Sequence, residues 1–165
     1  MPFNKESFSE LIKVHSKEIY NFCLYLTGNP NDAHDLSQDV FINAYRSIEK
    51  FRQDCAFSTW LHTIALNLYR DRMRRRKTVK FTPMDDEKEF SDKQIPVEKQ
   101  LEDSELKKKI LKSLDLLSQE QKVPIVLKYL EGKSLEETAK LCNCSIGTVS
   151  SRISRGIKIL RGHLK

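Results

Sequence analysis

Apolar residues recur at helical spacing through most of the chain. Phe8, Leu11, Ile12, His15, Ile19, Phe22, Cys23 and Leu26 form one stripe of period 3.6, which predicts an amphipathic helix over about residues 5–27. Gly28-Asn29-Pro30 ends it, and Asn31 or Asp32 is placed to cap a second helix. Ala33, Leu36, Val40, Ala44, Tyr45 and Ile48 line the buried side of that helix, opposite Asp35, Gln38, Asp39, Asn43, Arg46 and Glu49. Periodicity breaks over 52–57, read as a loop, and Ser58 is placed to cap a long third helix packed through Trp60, Leu61, Ile64, Ala65, Leu68 and Met73.

The periodic pattern disappears over 81–98, FTPMDDEKEFSDKQIPVE, which holds two prolines and a run of acids and reads as a flexible linker. It then resumes. Leu101, Leu106, Ile110, Leu111, Leu114 and Leu117 mark one helix. Ser118 and Gln121 form a capping-box pattern that opens another, running through Val123, Ile125, Val126, Leu127, Tyr129 and Leu130 to Gly132. Pro124 lies inside that helix, where it removes one hydrogen bond and is expected to bend it.

A helix-turn-helix pattern occupies Lys133 to Leu164. Ser134 and Glu137 make a second capping box, and Leu135, Ala139 and Leu141 or Cys142 give the short helix an apolar side. Asn143 falls at the turn, where a left-handed backbone is needed. Ser145, with Thr148 three residues on, caps the next helix, whose apolar side is Ile146, Val149, Ile153, Ile157, Leu160 and Leu164. Its other face carries Thr148, Ser151, Arg152, Arg155 and Lys158, short polar and cationic side chains of the kind that enter a major groove. Capped helix pairs with a basic face also occur in proteins that never touch nucleic acid, so the rest of the chain has to decide.

Charge sharpens the picture. Residues 1–80 hold 13 Lys/Arg and 9 Asp/Glu, residues 81–105 hold 3 and 9, and residues 106–165 hold 13 and 5, giving +4, −6 and +8. Two basic blocks flank an acidic spacer, the pattern of two sites for a polyanion. Seven cations against one acid (Asp71) fall within residues 70–80, more than a helix C-terminus requires, and a bound polyanion would relieve their repulsion. Phe57, Trp60 and Tyr69 lie just upstream, where aromatic faces beside cations can hold unstacked bases. Core packing is the competing use of Trp60 and Tyr69. A linker of 18 residues spans at most roughly 60 Å, about 18 base pairs, so both blocks can engage one duplex.

Several classes drop out. No apolar run approaches the length of a membrane span, so no membrane insertion is expected. Cys23, Cys55, Cys142 and Cys144 occur without a signal-peptide pattern, which points to reduced thiols and a cytoplasmic location. Cys142-x-Cys144 has the wrong spacing for a zinc pair. No phosphate-binding glycine loop or nucleophile elbow is present. Neither a cofactor, a metal site nor an enzymatic activity is expected. The fold class is all-α: two small helical domains, 1–80 and 99–165, joined by the acidic linker 81–98, the second domain containing the helix-turn-helix.

Three segments carry a resemblance to a known family: DAHDLSQDVFINAYRSIEKF (32–51), FRQDCAFSTWLHTIALNLYRDRMRRRK (51–77) and SLEETAKLCNCSIGTVSSRISRGIKILR (134–161). In this order the chain resembles a bacterial sigma factor of the extracytoplasmic-function type. That resemblance implies a subunit that directs RNA polymerase core to promoters. Asp35, Gln38, Asp39, Asn43 and Arg46, on a face otherwise read as merely solvated, would dock on the β′ clamp helices. The loop at Asp54, Cys55, Ala56 and Phe57, with Trp60, Asn67, Arg70 and the cations Arg74, Arg75 and Arg76, would read the separated strands of the minus-ten element, including a flipped base. Ser145, Gly147, Thr148, Ser151, Arg152 and Arg155 would read the duplex minus-thirty-five element. The helix at 118–131 would meet the β flap, the acidic linker would follow the path of nascent RNA, and an anti-sigma factor would be a further partner. Cys55 stands where the family often has Ser, and Ile146 where Pro or Val is common. The competing readings are a stand-alone helix-turn-helix regulator and a polymerase-binding module without DNA specificity.

Overall fold

A computed structural model describes residues 5–52, 54–79 and 101–163; the acidic segment 81–98 lies outside them. All the regular structure among the described residues is helical. Helix α1 (Lys5–Thr27) and helix α2 (Pro30–Ser47) form a hairpin closed by Gly28 at φ +71°. The cap of α2 is Asn29, not Asn31 or Asp32. Its Oδ1 accepts from the backbone N–H of Asn31 (2.8 Å) and of Asp32 (3.2 Å). Pro30 decides this shift, because its fixed φ and missing N–H suit the first helical position.

A single 3₁₀ turn (Ile48–Lys50) leads to the loop before helix α3 (Phe57–Val79). The first bond of α3 runs from Trp60 N–H to the Ala56 carbonyl, so Ser58 does not cap it. The Ser58 hydroxyl instead donates to Glu18 Oε1 of α1 at 2.7 Å. Leu61, His62, Ala65, Leu66 and Tyr69 are the buried residues of α3. That set is wider than one amphipathic stripe, because α3 is covered by α1 and α2 on one side and by the C-terminal half on the other. Tyr69 therefore belongs to the core, while Trp60 is half-buried.

The C-terminal half comprises α4 (Leu101–Asp115), α5 (Gln119–Ile125), α6 (Leu135–Cys142) and α7 (Ile146–His163). Leu114 and Leu117 are buried, but Leu106, read as part of the apolar stripe, is exposed. Both predicted capping boxes are present, at Ser118/Gln121 and Ser134/Glu137. Past Pro124 the chain does not simply bend. It widens over Val126–Leu130 into a π turn, closed by Glu131 N–H on the Val126 carbonyl. Gly132 follows at φ +68°.

In the helix-turn-helix, Asn143 has φ 55° and ψ 46°, the left-handed cap its position predicted, and Ser145 Oγ accepts from the Thr148 N–H at 3.1 Å. Val149, Ile153 and Gly156 are the buried residues of α7, whereas Ile146 is exposed rather than packed. The bare Gly156 lets α7 approach α5: a β-carbon there would lie 2.4 Å from Ile125 Cδ1.

The two halves pack on each other. The ammonium of Lys122, almost fully buried, donates to the Leu26 carbonyl at the end of α1 over 2.9 Å. There it meets the negative end of the helix dipole. Burial pushes its pKa down, and nearby Asp115 opposes that shift.

Candidate nucleic-acid and polymerase interfaces

The loop residues Asp54, Cys55 and Ala56 are exposed. Behind them Phe57 and Trp60 join Phe51 in an aromatic cluster with ring centroids 5.0–5.6 Å apart, a separation typical of stabilising aromatic pairs. Phe51 opens the motif at 51–77, and only its ring contacts mark it as part of the loop's aromatic cluster. Burial and the charge of Asp54 push the Cys55 thiol pKa up, and Lys133 of the C-terminal half pulls it back. The Lys133 ammonium also donates to Thr59 Oγ1 over 3.4 Å.

Asn67 and Arg70 do not share this loop's surroundings. Ten and more residues along α3 place them about 15–20 Å further down the helix, at 1.5 Å per residue. There they line a cleft of about 490 Å³ with Met73, Arg74, Lys77 and Gln119. Arg70 is half-buried, and its Nη2 donates to the Leu141 carbonyl at 3.3 Å. The cations that follow are partly neutralised: Arg72 pairs with Asp39, Arg74 with Asp71, and Arg76 with Asp32 at 3.2 Å. Arg75 and Lys77 are exposed. The basic end of α3 thus offers both a charged surface and two ion pairs that hold it to α2.

On α7, Ser145, Gly147, Ser151 and Arg155 are exposed and cluster on the first two and a half turns, with Thr148 half-buried beside them. Ser145 Oγ and Thr148 Oγ1 are 2.9 Å apart, so the cap and a candidate reader share one hydrogen-bond network. Arg152 is half-buried, with Nη1 3.9 Å from Cys144 Sγ. This weak contact engages one guanidinium nitrogen while leaving the other donors for a partner. The arrangement fits recognition of a duplex by the N-terminal turns of a helix.

On α2, Asp35, Gln38 and Arg46 are exposed, and Asp39 and Asn43 are half-buried. The same face holds two large apolar residues, Ile42 and Tyr45, each nearly half exposed. Tyr45, read as buried from its period, lies at the edge of the helix with its ring 5.3 Å from that of Phe8. Ile42 and Tyr45 add apolar area to an otherwise polar and charged face. The helix assigned to the β flap is different. Val123, Ile125, Val126 and Leu127 are buried within this chain, and only Tyr129 among its apolar residues is largely exposed.

Comparison with known proteins returns the same two blocks. The model "Sigma-70 region 2" matches residues 11–79, and "Sigma-70, region 4" matches residues 107–160. The ECF RNA polymerase sigma factor SigE of Mycolicibacterium smegmatis is 35% identical over 159 residues, covering 96% of this chain and 62% of that protein. The ECF RNA polymerase sigma factor SigW of Bacillus subtilis is 32% identical over 172 residues, covering 98% and 91%. Among solved structures, the sigma factor RpoE in complex with the anti-sigma factor NepR from Bartonella quintana superposes with a TM-score of 0.75 at 26% identity, over 96% of this chain and 97% of that one. CnrH, solved in complex with the cytosolic domain of CnrY, shares the fold with a TM-score of 0.69 at 24% identity, over 98% and 89%.

Proposed function

We propose how this chain works from the premise that it belongs to the extracytoplasmic-function sigma factors of the sigma-70 family, and so supports promoter-directed transcription initiation. The observation that carries the reading is the presence in one chain of an aromatic loop backed by an arginine-rich helix and, separately, of a capped helix-turn-helix. One element suits unstacked bases and the other suits a duplex major groove. A stand-alone regulator would need only the second, and the match of residues 11–79 to sigma-70 region 2 speaks against it.

The working division is residues 1–80 for core binding and the minus-ten element, 81–98 as linker along the path of nascent RNA, and 99–165 for the minus-thirty-five element. Asp35, Gln38, Asp39, Asn43 and Arg46, joined by Ile42 and Tyr45, meet the β′ clamp helices of RNA polymerase core. Asp54, Cys55, Ala56, Phe57 and Trp60 receive the flipped base. Asn67, Arg70, Arg74, Arg75 and Arg76 follow the strand along α3. Ser145, Gly147, Thr148, Ser151, Arg152 and Arg155 read the upstream duplex. Tyr129 meets the β flap, since Val123, Ile125, Val126 and Leu127 are buried within this chain. The protein performs no catalysis itself and acts in the cytoplasm, where polymerase is. Among the described residues no helix is long and apolar enough to cross a membrane. An anti-sigma factor is a further partner, as the relative solved with NepR has one.

The test is transcription from promoter templates by purified core polymerase with and without the chain. Initiation at defined sites that appears only with the chain supports the reading. Tight duplex binding by the chain alone, with no effect of core, overturns it.

A further inference from the structure

We propose that Glu18, His62 and Glu131 form a binding site for one divalent ion of the zinc class, placed where the two halves of the chain meet. The site goes beyond the sigma-factor reading and does not depend on it. The three side chains come from α1, α3 and the residue that closes the π turn, and each offers one ligand atom, all within 4.8 Å of one another. His62 Nε2 lies 3.1 Å from Glu131 Oε2 and 3.9 Å from Glu18 Oε1. An ion held at about 2.0–2.2 Å from each of three such atoms keeps them roughly 3.2–3.6 Å apart, so only small side-chain movements separate this cluster from a coordination shell.

The imidazole is oriented as a ligand is. Its Nδ1 lies 2.6 Å from the Ser58 carbonyl. A carbonyl only accepts, so Nδ1 carries the hydrogen and Nε2 points toward the two carboxylates. A lone pair facing two carboxylates needs a cation between them, either a second ring proton or a metal ion. Three features favour the metal. A backbone carbonyl on the far ring nitrogen is the usual support of a metal-bound histidine. The carboxylate of Glu18 is itself held, by the Ser58 hydroxyl at 2.7 Å on Oε1 and by His15 Nδ1 at 3.3 Å on Oε2. The ring of Phe22, 4.6 Å away, fixes the imidazole plane.

Accessibility completes the case. The His62 side chain is fully buried and that of Glu131 is 6% exposed, while Glu18 is 36% exposed. Two ligands are preorganised in the interior and the third is open to solvent, which leaves an entry path. One imidazole with two carboxylates is a borderline donor set that suits zinc better than magnesium, which prefers oxygen alone. Because Glu131 belongs to the C-terminal half, a bound ion fastens that half to α1 and α3.

Isothermal titration of the full-length reduced chain with Zn²⁺, and with Mg²⁺ for comparison, tests the site, with Co²⁺ absorption reporting the ligand set. The expected result is one Zn²⁺ per chain, at least tenfold weaker binding in Glu18→Gln and in Glu131→Gln, and no saturable Mg²⁺ binding. Glu18 is partly exposed, so Glu18→Gln keeps the fold and remains informative if a His62→Gln chain does not fold. Binding must survive in the triple variant Cys55→Ser, Cys142→Ser, Cys144→Ser. The proposal is overturned by absence of Zn²⁺ binding, by Zn²⁺ binding that is unchanged in both glutamine variants, or by its loss in the serine variant.

Discussion

The guanidinium of Arg72 on α3 reaches the carboxylate of Asp39 on α2, with Nη2 2.5 Å from Oδ2. Asp39 therefore serves the packing of α3 against α2 as well as the face assigned to polymerase. Half of its side chain is exposed, so the pair contributes at most about 1 kcal/mol. Asp35, one turn earlier and exposed, is the cleaner probe of the face. Asp35→Arg is expected to weaken binding to core polymerase tenfold or more, with unfolding free energy unchanged within about 0.5 kcal/mol. Asp39→Arg is expected to lower both, and adding Arg72→Asp should restore stability alone. Co-purification of Asp35→Arg with core at the normal level would remove this face from the polymerase contact.

Arg152 contacts Cys144 and sits on the exposed start of α7. Arg152→Ala should reduce use of the upstream promoter element by about 1–3 kcal/mol if the guanidinium makes a bidentate base contact, and should relax selectivity at one position. Promoter variants scored in transcription with core measure this. Equal losses on every upstream sequence would instead place Arg152 on a phosphate.

Gly156 is a packing residue. The β-carbon of Gly156→Ala would fall 2.4 Å from Ile125 Cδ1, inside the contact of α5 with α7. Overpacking of this kind costs about 1–3 kcal/mol, read as a lower unfolding midpoint in denaturant. Ile125→Val removes the opposing methyl group and should recover part of the loss, so the double variant is non-additive. Gly162→Ala, with nothing within 4 Å of the new carbon, should change stability by no more than about 0.5 kcal/mol.

The cysteines separate by burial. Cys55 is exposed in the candidate base pocket and Cys23 is buried, its pKa pushed up by burial from 9.0 to about 12. Iodoacetamide should therefore modify Cys55 well before Cys23. The modified protein should lose promoter opening while its helix-turn-helix still binds duplex DNA; full opening activity would clear Cys55 from the pocket. Because the folded state keeps the Cys23 proton above the pH at which the unfolded chain releases it, this stability is intact below about pH 9. It falls as pH rises from about 9 to about 12. Cys23→Ala should flatten that alkaline decline in a pH series of unfolding measurements.

Legibility in the sequence followed the reach of each interaction. The capping boxes at Ser118 and Ser134, the left-handed Asn143 and the cap at Ser145 were readable because they join residues three or so positions apart. The cap of α2 lies two residues before Asn31 and three before Asp32, since proline at the first helical position outweighs their capping preference. Tyr45, Leu106 and Ile146 kept a helical period yet are exposed, because period alone does not tell the centre of a buried stripe from its edge. The exposure of Ile42 beside Tyr45 needed the structure for the same reason.

The amino-acid sequence by itself determined the helices, the caps at Ser118, Ser134 and Ser145, the helix-turn-helix, the basic end of α3 and, through these motifs, the family. Only the tertiary structure decided that Arg70 is tied to Leu141, that Gly156 admits Ile125, that Lys122 donates to the Leu26 carbonyl at the end of α1 and that Glu18, His62 and Glu131 converge. His62 and Glu131 are 69 positions apart, and no local rule connects residues at that distance. What brings them together is the burial of α3 from two sides, a property of how the halves pack and of no single segment's pattern.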